Sequence, residues 1–238
     1  MKEPAVTLVV PFYNEKDCAE RAVGELASAL DAVEPGFELL LVENASTDGT
    51  REILRRAAAG DPRIRVVELD VNIGYGGAVL KGLSLGRGEW VGFTCGDGEI
   101  SASDTAWMCS FTRVSGLDFC KAKRLNRRDG AWRKFLSLGY HFLVGSCFSI
   151  HVTDINGYPV LMRRAVYSRL RLSRTDWVFN VEMLLRLRQE GLRMAEVDVT
   201  HRPRLGGRSH VSLRTPVEFF FQLVSLWRRN RLRRETAV

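Results

Sequence analysis

The sequence predicts an α/β fold, in which a mostly parallel sheet carries helices on both faces. Two observations predict it: short apolar runs of strand length recur through the first half of the chain, and segments with helical periodicity separate them. Strands that alternate with helices at this spacing are typical of parallel sheets covered on both sides. With 238 residues, 45% of them hydrophobic, the chain can also bury a substantial core.

Four apolar runs are the predicted strands of the first half. They are rich in Val, Leu and Ile, which is typical of strands that are buried on both faces of a sheet. These runs lie at residues 6–10, 37–42, 64–69 and 90–94.

The segments between these runs are predicted helices, at residues 19–30, 47–58 and 76–85. Ser46 or Thr47 is the expected N-cap of the second helix, because a hydroxyl oxygen can accept a hydrogen bond from an otherwise unpaired backbone N–H.

The alternation becomes less regular after about Asp104. Residues 135–150 are mostly apolar, residues 178–190 have helical periodicity, and residues 196–199 are a late strand. We find no internal repeat and no linker-like composition, so a single domain with an extension is expected.

The last part of the chain is a predicted amphipathic helical extension. Residues 216–227 are largely apolar and a run of arginines follows; residues 201–238 hold nine Arg against two Glu, so the whole net charge of +7 lies there. This pattern predicts a helix in the headgroup region of an anionic membrane. Packing on the sheet or in a dimer, or a solvated tail, are the alternatives. We therefore divide the chain into a main domain at 1–212 and an extension at 213–238.

Composition disfavours several classes of protein. No apolar stretch is long enough to span a bilayer, and the positive charge is confined to a tail beside an apolar face, which disfavours nucleic-acid binding. Five cysteines without a CxxC motif, and no signal peptide, predict a reduced, cytoplasmic compartment.

Polar loops follow each of the four predicted strands. Parallel strands place their carboxyl ends at one edge of the sheet, and ligands bind there. The loops read Pro-Phe-Tyr-Asn-Glu at 11–15, Glu-Asn-Ala-Ser-Thr-Asp-Gly-Thr at 43–50, Asn-Ile-Gly-Tyr-Gly-Gly-Ala at 72–78 and Cys-Gly-Asp-Gly-Glu at 95–99.

Three further motifs complete the set: Asp-Ile-Asn-Gly-Tyr-Pro at 154–159, Asp-Trp-Val-Phe-Asn-Val-Glu at 176–182 and Arg-Leu-Gly-Gly-Arg-Ser at 204–209. Together the seven motifs resemble those of the inverting family 2 glycosyltransferases, and most of all their dolichol-phosphate-mannose-synthase-like branch. The resemblance covers about residues 5–212. It implies a Rossmann-like GT-A fold, a donor that is a GDP- or UDP-linked sugar, Mg²⁺ or Mn²⁺ as cofactor, and a dolichyl or undecaprenyl phosphate acceptor at the inner face of the membrane.

The resemblance implies a nucleotide site made by the strand ends. Tyr13 offers a ring for stacking on a base and Glu15 can accept hydrogen bonds from ribose hydroxyls. The family's usual Asp-Asp pair is Glu43-Asn44 here, which leaves the preferred base open. The residues implied in nucleotide binding are Pro11, Tyr13, Glu15, Glu43, Asn44, Gly76 and Asp97.

The metal motif departs from the family's Asp-x-Asp, because Cys95 replaces the first Asp. A thiol is a poor ligand for a hard divalent cation, whereas one or two carboxylates and phosphate oxygens suffice for magnesium. We therefore expect a weak metal site made by Asp97 and Glu99. A degenerate site, in a nucleotide-sugar-binding protein without turnover, is an alternative.

The remaining implied residues concern phosphate groups and catalysis. The resemblance implies that Arg124, Arg204, Arg208 and Ser209 bind acceptor and donor phosphates, and that Asp97, Arg124 and Arg204 are catalytic.

A polyprenyl phosphate is already ionised and needs no general base, whereas a hydroxyl acceptor does. For a hydroxyl acceptor, which is the runner-up, the base candidates are Asp154, Asp176 and Glu182. His201 and His210 are weaker candidates, as ligands. The sugar and the oligomeric state are left open.

Overall fold

The structure, a computed structural model, describes residues 3–126, 131–204, 206 and 215–235. Seven strands are found in these residues: β1 Val6–Phe12, β2 Phe37–Glu43, β3 Ile64–Glu68, β4 Trp90–Phe93, β5 Phe119–Leu125, β6 Val160–Arg163 and β7 Met194–Thr200. The helices in the same residues are α1 Ala19–Val33, α2 Thr50–Gly60, α3 Gly74–Leu85, α4 Ala102–Val114, α5 Ala131–Phe148, α6 Arg164–Leu170, α7 Phe179–Arg188 and α8 Thr215–Glu235.

The described strands make one sheet in the order β3-β2-β1-β4-β6-β5-β7. The pairs β1–β2, β2–β3, β1–β4 and β5–β7 are parallel, whereas β6 is antiparallel to both β4 and β5. All strands except β6 therefore run in the same direction and end at the same edge. The predicted mostly parallel sheet is confirmed.

Two apolar cores, one on each face of the sheet, hold the helices. Leu8 and Val10 of β1 pack with residues of α1, α2 and α4. Val9, which points to the opposite face because side chains alternate along a strand, belongs to the second core together with residues of α3, α5, α7 and α8. The prediction of helices on both faces is thus confirmed.

The second helix begins later than the sequence predicts, at Thr50. Gly49, with φ of 93°, takes the N-cap position, and the Asp48 carboxylate accepts the hydrogen bond of the Thr50 N–H. The prediction of Ser46 or Thr47 as the N-cap is wrong, because both residues form hydrogen bonds with Asn14 in the loop after β1 instead.

Two strands, β5 and β6, were not predicted. The sequence of β5 contains Lys121, Lys123 and Arg124, and these charged residues conceal the apolar pattern that would indicate a buried strand. Lys121 is nonetheless fully buried, because its ammonium group donates to the carbonyl of Asp154 and pairs with Glu196 at 3.2 Å. β6 has four residues and is too short to show a period.

The C-terminal helix α8 is half packed and half exposed. Leu223 and Leu226 belong to the core, whereas Phe220 and Phe221 are exposed. Among the described residues, no helix is long and apolar enough to cross a membrane.

We predict that Gly82→Ala destabilises the protein and that Gly24→Ala, the control, does not. A Cβ at Gly82 of α3 would lie 2.2 Å from Val9 Cγ1 and 2.9 Å from Val42 Cγ2, so α3 would be pushed off the sheet. Overpacking of this kind costs about 1–3 kcal/mol. Gly24 of α1 has open space around it, so Ala should stabilise the helix there by about 0.5–1 kcal/mol. Urea unfolding measures both; equal effects of the two variants would contradict the packing described.

Candidate active site

The loops after β1 and β2 are joined into one rigid unit at the carboxyl edge of the sheet. The Asn14 N–H donates to Ser46 Oγ at 3.1 Å, and Asn14 Oδ1 accepts from the Thr47 N–H at 2.8 Å. The next N–H, that of Glu15, donates to Thr50 Oγ1 at 2.9 Å. These bonds hold Asn14 in the left-handed region, with φ of 53°, and so fix the directions of the side chains on either side of it.

Asn44 shapes the loop between β3 and α3. Its side-chain oxygen accepts from the Ile73 N–H at 3.0 Å, and its amide NH₂ donates to Asn72 Oδ1 at 3.1 Å and to the Gly74 carbonyl at 3.3 Å. The side chain is buried. Its contact with a base stays a prediction, but its amide already has a structural task that the sequence did not reveal.

Glu43 is likewise buried and holds its neighbours in place. Its carboxylate pairs with Arg51 at 2.7 Å and accepts from the Ser46 N–H at 2.5 Å. The Pro11 and Tyr13 positions lie on the same edge, at the end of β1 and directly after it. The structure therefore brings the predicted nucleotide residues of the first two strands together.

Gly76 allows a second loop to approach α3. A Cβ there would lie 2.9 Å from the carbonyl oxygens of Thr175 and Asp176, and the adjacent Gly77 N–H donates to the Thr175 carbonyl at 3.1 Å. The loop before α7 therefore sits directly on the first turn of α3. This packing is a reason for a glycine at position 76 that does not involve a nucleotide, whose binding there stays a prediction.

At the carboxyl edge of the sheet, charged side chains from three loops contact one another. Arg204, which follows β7, donates to Glu15 Oε1 at 2.5 Å, and the same nitrogen lies 3.6 Å from Asp97 Oδ2. Burial, with a smaller contribution from the neighbouring Glu99 carboxylate, raises the pKa of Asp97 to about 6. The described residues thus place the carboxylates of Glu15 and Asp97 on either side of one guanidinium.

Glu99 is held by two partners that the sequence analysis did not assign to it. Its carboxylate accepts a hydrogen bond from the Tyr158 hydroxyl at 2.8 Å and lies 3.2 Å from His201 Nε2. The backbone makes a further contact here, because the Arg202 N–H donates to the Glu99 carbonyl at 2.7 Å. These contacts bring the segment after β7 to the metal motif.

The donor set fits a divalent cation that is also held by the ligand. Asp97 and Glu99 supply hard carboxylate oxygens of the kind that Mg²⁺ and Mn²⁺ prefer, and the Asp97 side chain is only 13% exposed. Cys95 supplies nothing, because burial raises the pKa of its thiol well above the usual value. Among the described residues, no three His, Cys, Asp or Glu side chains are grouped to hold a metal by themselves, so phosphate oxygens would have to complete the site.

Arg124 is anchored by a buried ion pair. Its guanidinium donates to the two Asp154 carboxylate oxygens at 2.7 and 2.9 Å and lies over the Tyr158 ring, 4.9 Å from the centroid. Burial acts against the ionised Asp154, but these bonds outweigh it and lower the pKa of the carboxyl to about 2. Arg124 is thus fixed beside the tyrosine that binds Glu99.

The three candidate bases for a hydroxyl acceptor all have other partners. Asp154, with its pKa of about 2, is too weak a base near neutral pH. Asp176 accepts from Arg174 Nε at 3.1 Å. Glu182 accepts from the backbone N–H of Ser173 and of Arg174, at 2.9 and 2.7 Å, and so organises the loop before α7.

Three residues of the sequence analysis, Arg208, Ser209 and His210, lie outside the described residues. Their predicted contacts with phosphate or metal stay predictions. The backbone just before them is placed at Gly206, where a Cβ would lie 3.0 Å from Asp17 Cβ. The segment after β7 therefore runs past the start of α1.

Comparison with known proteins identifies the family of this fold. Residues 7–171 match the family model for glycosyl transferase family 2. Glucosyl-3-phosphoglycerate synthase from Mycobacterium tuberculosis, solved with Mn²⁺, UDP and phosphoglyceric acid, superposes with a TM-score of 0.73 at 18% identity, over 94% of this chain and 78% of that chain. The predicted GT-A fold is confirmed.

Two curated relatives align over nearly the whole chain. Dodecaprenyl-phosphate galacturonate synthase of Rhizobium johnstonii is 27% identical over 93% of this chain and 66% of its own length. Undecaprenyl-phosphate 4-deoxy-4-formamido-L-arabinose transferase of Aeromonas hydrophila is 24% identical over 92% of this chain and 67% of its own length. The chain thus spans about two thirds of each relative.

We predict that Asp154→Asn lowers the free energy of unfolding at neutral pH, because it leaves the buried Arg124 without its counter-charge. The pKa of Asp154 in the folded protein lies below its ordinary value of 3.8. Its stabilising contribution, about 2 kcal/mol, is therefore complete above that value and is lost as the pH falls toward 2.

Urea unfolding of wild type and variant at about pH 7 and about pH 3 measures this, and the difference should shrink by about half at the lower pH. A difference that does not change with pH would mean that the charge of Asp154 is not what stabilises the fold.

Proposed function

We propose that this chain, which belongs to glycosyl transferase family 2, transfers a sugar from a nucleoside diphosphate sugar to a polyprenyl phosphate, with inversion at the anomeric carbon. The observation that carries the proposal is that the candidate bases at this edge, Asp154, Asp176 and Glu182, are all held by arginine side chains or backbone N–H groups. The names of the two curated relatives, which act on dodecaprenyl and undecaprenyl phosphate, support the same acceptor class.

The donor lies along the ends of β1, β2 and β4 in this proposal. Tyr13 stacks on the base, Glu15 accepts hydrogen bonds from the ribose, and the diphosphate reaches Asp97 and Arg204. Glu15 and Asp97 are separated by the single guanidinium of Arg204, so ribose and diphosphate groups of one nucleotide can meet both. The base, guanine or uracil, is left to experiment.

The chemistry is one displacement. A phosphate oxygen of the acceptor attacks the anomeric carbon, the bond from that carbon to the diphosphate oxygen breaks, and the nucleoside diphosphate leaves with the electron pair. Attack opposite the leaving group inverts the configuration. Arg204 stabilises the charge that develops on the leaving group, and Arg124 positions the acceptor phosphate. A divalent cation, held by Asp97 and Glu99, would supply further neutralisation of the diphosphate charge.

The acceptor follows from the state of the carboxylates. An acceptor hydroxyl must lose a proton during attack, so its enzyme needs an available base. Asp154, Asp176 and Glu182 are each held by cations or backbone N–H groups. A phosphate acceptor is ionised in solution and only has to be aligned.

A hydroxyl acceptor is the second candidate, and one observation favours it. His201 Nε2 lies 3.2 Å from the Glu99 carboxylate, and a histidine oriented by a carboxylate is a common general base. The two candidates differ in one functional group of the acceptor, which makes them separable.

The test compares polyprenyl phosphate with polyprenol of the same chain length. We expect labelled sugar from GDP- or UDP-linked donors to enter the organic phase with polyprenyl phosphate and not with polyprenol, because only the phosphate needs no base. Scintillation counting of the extract measures transfer. Transfer to polyprenol at a similar rate would favour the hydroxyl acceptor, and no transfer with any donor would favour a binding protein.

The acceptor lipid requires access to a membrane surface, and α5 and α8 form a suitable one. Phe142 of α5 is 73% exposed and Phe221 of α8 is 66% exposed. An apolar cleft between the two helices is lined by Leu143, Cys147, Phe148, Phe220, Leu223, Val224 and Trp227. The exposed Arg228 and Arg229 follow on α8, where they suit anionic headgroups. We place this surface on the cytoplasmic leaflet.

A series of aromatic contacts connects α8 to the candidate site. Phe219 of α8 stacks on Trp177, with ring centroids 5.9 Å apart, and Trp177 stacks on Tyr75 at 6.5 Å. Tyr75 lies in the first turn of α3, its hydroxyl 3.9 Å from Cys95 Sγ. A membrane bound by α8 would therefore lie beside the loop before α7, close to the end of the sheet where the sugar is transferred.

We predict that the double variant Phe220→Ser, Phe221→Ser binds anionic liposomes less well. A fully buried Phe side chain contributes about 1.5–3 kcal/mol, so the loss of two should weaken co-sedimentation by at least about tenfold. Trp107→Ser is the control, because Trp107 is a similarly exposed aromatic residue on α4. If the control loses as much binding as the double variant, or the double variant loses none, α8 is not the docking element.

A further inference from the structure

We infer that Arg204 competes with a divalent metal for the position beside Asp97, and that its side chain leaves this position when nucleoside diphosphate and metal bind together. The inference rests on the proposed function, because it assigns Glu15 and Asp97 to the donor. It adds an order to binding: metal without nucleotide is opposed by Arg204, whereas metal with nucleotide is not.

Geometry places one guanidinium between the two carboxylates. Arg204 Nη2 is 2.5 Å from Glu15 Oε1 and 3.6 Å from Asp97 Oδ2. The side chains of Glu15, Asp97 and Arg204 are 7%, 13% and 21% exposed. Water therefore screens these charges poorly, and each interaction is stronger than it would be at the surface.

Charge balance explains why the arginine is there. Burial acts against the charged form of Arg204, but the carboxylates of Glu15, Asp97 and Glu99 outweigh it and raise the pKa of the guanidinium. Buried carboxylates without a counter-charge are strongly destabilising. Arg204 supplies positive charge beside Glu15 and Asp97.

A divalent cation at Asp97 would compete with this arrangement. Two like charges within about 4–6 Å disfavour each other, so the metal can bind Asp97 only if Arg204 moves or is compensated. The diphosphate provides the compensation, because its oxygens accept charge-assisted hydrogen bonds from a guanidinium. Metal and nucleotide should therefore each raise the affinity for the other.

Only the side chain has to move. Two backbone hydrogen bonds hold the segment just before Arg204. The His201 N–H donates to the Leu125 carbonyl at 3.1 Å, and the Arg202 N–H donates to the Glu99 carbonyl at 2.7 Å. An arginine side chain has several rotatable bonds and can exchange partners without a change in the fold.

The test measures Mn²⁺ binding to the full chain by electron paramagnetic resonance, with and without UDP or GDP. In the absence of nucleotide, Arg204→Gln should bind Mn²⁺ at least tenfold more tightly than wild type. Arg202→Gln, which removes an exposed arginine of the same segment, should match wild type. Adding the nucleotide that binds should increase the Mn²⁺ affinity of wild type by a larger factor than that of Arg204→Gln.

Arg204→Lys guards against a folding defect, because it keeps the positive charge; it should bind Mn²⁺ as weakly as wild type. Equal or weaker Mn²⁺ binding by Arg204→Gln, with a normal circular dichroism spectrum, would overturn the inference, as would the absence of Mn²⁺ binding in all variants. If Arg204→Gln does not fold, tight Mn²⁺ binding by Arg204→Lys would overturn it. Failure of wild type to bind any nucleoside diphosphate would instead refute the proposed donor, whatever the result without nucleotide.

Discussion

The ion pair between Arg204 and Glu15 joins the first loop of the sheet to the segment after its last strand. Through the same guanidinium it reaches Asp97, after β4. The site exists only while these three segments stay together, because each supplies one charge and none is near the others in sequence. Since the carboxylates are poorly exposed, removal of the arginine would take away a positive charge that stabilises them. Stability and the proposed donor recognition thus involve the same three side chains.

A second buried pair, Arg124 with Asp154, organises the other half of the edge. It fixes the loop between α5 and β6, and Tyr158 in that loop carries the hydrogen bond to Glu99. The proposed donor and acceptor halves of the edge are therefore joined at Glu99, whose carboxylate contacts the Tyr158 hydroxyl and His201 Nε2. We expect that a substitution in either half alters the geometry of the other half through the Glu99 carboxylate.

The sequence predicted the first half of the fold better than the second for a physical reason. Strands β1 to β4 are apolar runs, whereas β5 hides a buried Lys121 that is tolerable only because Glu196, 75 residues later, is its partner. The same physical reason decides which parts of the candidate site the sequence predicts. The strand ends were predictable because parallel strands share an edge, but the contacts of Glu99 with Tyr158 and of Asn44 with Asn72 depend on tertiary packing.

The central claim is that this edge binds a nucleoside diphosphate, and a thermal melt tests it most directly. With Mn²⁺ present, UDP or GDP at about one hundred times its dissociation constant should stabilise the folded chain by about 2.7 kcal/mol, which a rise in melting temperature reports. The rise should be lost in Glu15→Ala. No shift with either nucleotide, or an undiminished shift in that variant, would contradict the account.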